Sequence, residues 1–220
     1  VRGVPPGAAR RTLGLRMRRK AARPAGGPAE ALETARLLAK HRGFSPVAVR
    51  SIVRGLAMDL LSGAYDVTQL QRAWDQLEPT ERKLPEVAIH AARRLAALGG
   101  DAHLGRDWLL PVWEAQAELN DSLRVKLVGA LEEGLGSLDG AWLARIEAAQ
   151  KARPRDATLQ YLAGMACMKR QLWGKAQQLL SQAALGLQDA ALHRKAWRAL
   201  AELAEQRDDT PAAALAWKRA

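Results

Sequence analysis

The sequence predicts an all-α chain, an α-solenoid of antiparallel helix hairpins with an irregular middle region. Ala (44) and Leu (34) dominate the 220 residues while Val, Ile and Thr together supply only 19, so helix formers abound and strand formers are scarce. Apolar residues recur at three- and four-residue steps between short turn signals. The second half also repeats itself at a spacing of 34 residues.

Taken in order, residues 13–23 form an amphipathic helix with Arg16, Arg19, Lys20 and Arg23 on one face and Leu13, Met17 and Ala21 on another. Ala29 to Lys40 is periodic. Ser45 is an N-cap ahead of Pro46 and opens a helix to about Leu61. A short helix, Val67 to Leu77, ends before Pro79. The next runs from about Pro85 to Leu98 and stops at Gly99 and Gly100, with Asp101 capping its successor. Asp121, Asp139, Asp156, Asp189 and Thr210 with Pro211 read as further helix starts, giving ten to twelve helices in hairpins.

The 34-residue register asks for small residues at positions 8, 20 and 27, where the helices of one repeat touch, and a proline at 32. With Ala157 as position 1 these are Gly164, Ala176 and Ala183, and Pro154 is position 32 of the repeat before. The preceding repeat starts at Leu123, with Ala130 at 8 and Ala149 at 27 but the bulky Trp142 at 20. The following one starts at Arg194 after a three-residue insertion and carries Ala201, Ala213 and Ala220, with Trp197 at 4 and Trp217 at 24. This is the tetratricopeptide pattern. A looser copy has Gly26 at 15 and Arg19 at 8, and a degenerate one has Gly99 at 15 and Trp108 at 24. The expected segments are a basic first helical hairpin (1–43), degenerate helical repeats (44–122) and tetratricopeptide repeats (123–156, 157–193 and a truncated 194–220), all in one continuous solenoid.

Tyr161-Leu162-Ala163-Gly164-Met165, Leu172-Trp173-Gly174-Lys175-Ala176 and Trp197 to Leu203 resemble the C-terminal tetratricopeptide repeat domain of the proteobacterial HemY family. Ala31 to Leu38 is similar to that family's first hairpin. The likeness covers about three quarters of the chain and is weakest between Gly63 and Gly140. It implies a cytoplasmic domain of an inner-membrane protein associated with haem (porphyrin) biosynthesis, unrelated to the flavin-dependent protoporphyrinogen oxidase that shares the name. No apolar stretch, Trp108 to Trp113 included, reaches the roughly 18–20 residues that span a bilayer. The chain opens on Val1 and closes at Ala220 within a helical pattern, so a membrane anchor is expected outside it.

The sequence lacks His-Glu-x-x-His, Gly-x-Ser-x-Gly and P-loop motifs, and Gly134-Leu135-Gly136 follows no strand. We therefore expect no enzyme, no catalytic residues, no metal and no cofactor. His41, His90, His103 and His193 lie on different helices without paired spacing, so local hydrogen bonding is favoured over haem ligation. Cys167, the lone cysteine, reads as a small buried apolar residue. Trp74, Trp142, Trp173, Trp197 and Trp217 read as core packing.

The inner positions of each repeat's first helix place Arg124, Leu127, Tyr161, Met165, Met168, Lys169 and Arg198 along a partner groove. Such a groove suits a peptide of mixed apolar and acidic character. The expected partners are other proteins, by the resemblance haem-biosynthesis enzymes; direct porphyrin or haem binding is the alternative. The net charge of +11 is concentrated in the first 28 residues, where eight basic residues meet no acid. The stripe Arg16, Arg19, Lys20 and Arg23 is open to three readings: a solvated face, contact with an anionic membrane surface, and, least favoured, a nucleic-acid-binding module.

Overall fold

A computed structural model describes residues 27–40 and 45–220. The basic stripe Arg16, Arg19, Lys20 and Arg23, and His41, lie outside the described residues. Among the described residues there are twelve α-helices, two short 3-10 turns and no strand. The helices are α1 (Pro28–Lys40), α2 (Pro46–Ser62), α3 (Val67–Asp75), α4 (Pro79–Arg82), α5 (Pro85–Ala97), α6 (Ala102–Glu114), α7 (Asp121–Glu132), α8 (Gly140–Ala152), α9 (Ala157–Lys169), α10 (Trp173–Gly186), α11 (Ala190–Glu205) and α12 (Thr210–Arg219).

Short polar side chains begin most of them. Ser45, Asp66, Asp101, Asn120, Asp139, Asp156, Asp189 and Asp209 each accept a hydrogen bond from a first-turn backbone N–H, a contribution of about 1 kcal/mol apiece. Two starts fall one residue before the expected ones: Asn120 caps in place of Asp121, and Asp209 in place of Thr210. Pro79, expected only as a stop, also begins α4, because Glu78 and Glu81 form a reciprocal capping box around it.

The chain divides at Arg94/Leu95 into two compact units. In the first unit α1 packs on α2, and α2 on α3 and α4, around Leu32, Ala57, Leu61, Leu70, Leu77 and Val87. In the second, α9 is the hub. It packs against α7, α8, α10 and α11, and α11 packs against α10 and α12. Three residues join α9 to α10 and four join α11 to α12, so each pair is an antiparallel hairpin.

Closeness within the α9–α10 hairpin comes from small residues. Ala176 and Ala183 are fully buried, and a Cβ placed on Gly164 would lie 2.7 Å from Leu180 Cγ and 3.3 Å from the Leu180 backbone nitrogen. Gly164→Ala is therefore expected to lower stability by about 1–2 kcal/mol, although alanine gains about 1 kcal/mol in helix propensity. An unchanged or higher urea midpoint would show that the helices separate freely.

The same turn ends α5, α9 and α11. Gly99 (φ 72°), Gln171 (φ 57°) and Asp208 (φ 58°) are left-handed, and the next residue's N–H reaches back five residues, from Gly100 to Leu95, Leu172 to Cys167 and Asp209 to Ala204. At Gly100 a Cβ would fall 2.3 Å from Leu95 Cδ1. A side chain at left-handed φ costs on the order of 1 kcal/mol. Gln171→Gly should accordingly raise stability by about 0.5–1 kcal/mol, the unfolded chain's extra freedom taking back part of the gain. Thermal unfolding of the two proteins checks it.

Four tryptophans are core: Trp74, Trp108, Trp113 and Trp142. The rings of Trp113 on α6 and Trp142 on α8 meet at 5.9 Å, which gives the bulky residue at a small-residue position an aromatic partner. Trp217 departs from expectation. It is 44% exposed at the end of α12, and its indole N–H donates to Glu205 on α11 at 2.6 Å. Trp197 and Trp173 are half-buried, and Arg219 lies over the Trp197 ring at 4.8 Å.

Candidate partner-binding surface

Helices α7, α9 and α11 contribute to one surface of the second unit, with α9 packed against both of the others. Glu132 at the end of α7 ties them together. One carboxylate oxygen accepts from the Tyr161 hydroxyl on α9 at 2.8 Å, and the other from Lys195 Nζ on α11 at 2.9 Å. Burial, with the Glu132 carboxylate beside it, pushes the Tyr161 phenol well above its usual range, so it remains a donor. Tyr161 and Lys195 therefore stand at one level of the surface, 34 residues apart in sequence.

This geometry corrects part of the expected groove. Tyr161 is fully buried and Leu127 is 1% exposed, so both are core residues in place of groove-lining ones. Both lie where α7 packs against α9, which closes them to solvent. Arg124 is spent internally: its guanidinium binds Asp156, the cap of α9, and approaches Asp121 at 3.8 Å. What remains open is Met165 and Met168, half-buried on α9, Lys169 at its exposed end, and Arg198, exposed on α11. Leu172, just beyond α9, adds an exposed apolar side chain.

Two residues that matter here went unnoticed in the sequence. Glu132 sits at no position of the repeat pattern, and its partners are 29 and 63 residues away. Arg106 on α6 is 2% exposed. It donates to Gly134 O at 2.9 Å and Ser137 O at 2.8 Å, closing the end of α7 and the 3-10 turn Leu135–Ser137. An arginine in an amphipathic pattern ordinarily reads as surface, so only the fold shows this role.

Each of the three described histidines has a partner of its own. His103 is exposed and faces Asp139 at 3.6 Å, and His193 accepts from the Trp197 indole N–H at 3.2 Å. His90 on α5 shares a 2.7 Å hydrogen bond with Ser62 on α2, and burial, then the charge of Arg94, lowers its pKa from 6.5. The unfolded chain thus binds the His90 proton more readily than the folded one. Stability of the first unit should be complete above the unfolded value and fall as pH drops through 6.5 toward the depressed folded value. Urea titrations from pH 8 to 5 should show this loss, and His90→Gln should remove it.

Cys167 is buried, which pushes its thiol up and keeps it protonated. Among the described residues no group of three or more His, Cys, Asp or Glu is placed to hold a metal ion. An open concavity of about 340 Å³ lies on the first unit beside Glu30, Leu32, Glu33, Arg36 and Gln76. No described helix is long and apolar enough to cross a membrane.

The described residues define an all-helical protein whose second unit presents a mixed apolar and cationic face. No family model, no curated protein and no solved structure matches the chain significantly.

Proposed function

We propose that the chain is a non-enzymatic protein–protein interaction scaffold built as a tetratricopeptide-like solenoid. By the resemblance of its repeats it is the cytoplasmic domain of a HemY-like protein, held at the inner membrane by an anchor outside this chain, where it gathers haem-biosynthesis enzymes. The observation that carries the repeat reading is the recurrence of the left-handed turn. Gln171 and Asp208 are both position 15 of the register, so one local device separates the two packed helices of the α9–α10 and α11–α12 hairpins. The surface of Met165, Met168, Lys169 and Arg198 supplies an apolar strip edged by cations, the chemistry by which helical scaffolds hold peptide segments.

The test is partner capture by the tagged full chain from detergent-solubilised cells, against a Met165→Ala, Arg198→Glu variant whose helicity is unchanged. Haem-biosynthesis enzymes should be enriched on the parent protein and lost from the variant. Equal recovery on both would move the contact off this surface. Absence of such enzymes from both would remove the pathway assignment.

A further inference from the structure

We infer that this face selects an acidic amphipathic helical segment of a partner protein, with carboxylates on Lys195 and Arg198 and apolar side chains on Met165 and Met168; this rests on the scaffold reading above.

The structure already displays the recognition in miniature. Glu132 is a carboxylate held between the Tyr161 hydroxyl and Lys195 Nζ, and Lys195 is 49% exposed with two further N–H donors. One helical turn further along lie Met165 on α9 and Arg198 on α11, three residues from Lys195 on the same helix. Exposed Lys169 follows at the end of α9. The acids of the α11 face, Glu202 and Glu205, come only in its C-terminal half. The N-terminal half is therefore cationic, and a segment lying across it meets positive charge at one end and sulfur-rich apolar surface beside it. Unbranched methionines fit varied apolar side chains, and the charges fix which end of the segment goes where.

A library of random 12-residue peptides displayed on phage, panned on the immobilised full chain, tests this directly. Selected sequences should be enriched in Asp or Glu placed three or four residues from Leu, Ile or Phe. A fluorescein-labelled selected peptide, followed by anisotropy, should bind at least tenfold more weakly to Arg198→Glu and to Met165→Ala. Lys151→Glu, the same change in net charge on exposed α8, should leave binding within twofold. Panning on Arg198→Glu should shift selection toward Lys or Arg at one position.

Selection without acidic residues, still weakened by Met165→Ala, would overturn the charge assignment while leaving the groove in place. Peptides indifferent to both substitutions, or no selection at all, would overturn the inference and remove the groove with it.

Discussion

Glu81→Gln is expected to destabilise the first unit by roughly 2–3 kcal/mol, a large fraction of what holds such a unit folded. Glu81 is 4% exposed, and both its carboxylate oxygens are gripped by Arg36, Nε at 2.9 Å and Nη2 at 2.6 Å. That pairing raises the already high pKa of the Arg36 guanidinium, with Glu33 adding a smaller share. The same carboxylate accepts the Glu78 N–H at 2.8 Å, closing the capping box of α4, while Arg36 reaches Gln76 O at 2.9 Å. Removing the Glu81 charge leaves the guanidinium with only the exposed carboxylates of Glu33 and, at 3.7 Å, Glu78, and weakens the acceptor that closes the cap of α4. Hydrogen exchange of α1 and α4 peptides reads the loss. The double variant Arg36→Leu, Glu81→Leu should recover much of it, since no charge is then left unpaired. A loss below about 1 kcal/mol in Glu81→Gln would mean the pair is solvated and contributes little.

The second large effect lies in the other unit. Arg106→Met should cost about 3 kcal/mol, because it leaves Ser137 O without its arginine donor and Gly134 O with only the long contacts from the Ser137 N–H at 3.4 Å and hydroxyl at 3.5 Å, in a site the methionine keeps dry. The guanidinium also stands just past the C-terminus of α7, where a positive charge is favoured. Arg106→Lys should restore only part of the stability, as one ammonium cannot span two carbonyls as the planar fork does. Differential scanning calorimetry should show the methionine variant melting lower by on the order of 10 °C, with lysine between it and the parent. Lysine equal to arginine would reduce the site to a simple charge.

Much of the helical layout was legible because its signals are local. Ser45–Pro46, Asp139, Asp156 and Asp189 act through their own first turns, so spacing alone located them within a residue. The small residues Gly164, Ala176 and Ala183 were visible as a period, since one hairpin's closeness is written into both its helices. What stayed hidden is non-local. The pairing of Arg36 with Glu81, Arg106 with a turn 28 to 31 residues on, and Glu132 with Tyr161 and Lys195 depend on which helices become neighbours. For the groove, position along the first helix picked out Met165, Met168, Lys169 and Arg198, which are at least partly accessible, but also the core residues Tyr161 and Leu127. A pattern specifies a face without saying how deeply the next helix covers it. Trp217 differs in the opposite direction, a packing-type residue that stays 44% exposed beside Glu205.

The tight glycine sites carry a consequence for descent. A methyl group at Gly164 collides with Leu180, and one at Gly100 with Leu95, so neither glycine can be lost alone at no cost. In any related chain these positions should change in pairs, a larger residue at 164 arriving with a smaller one at 180, and likewise at 100 and 95. Two such coupled substitutions would be a signature of shared ancestry that outlasts similarity across the rest of the sequence.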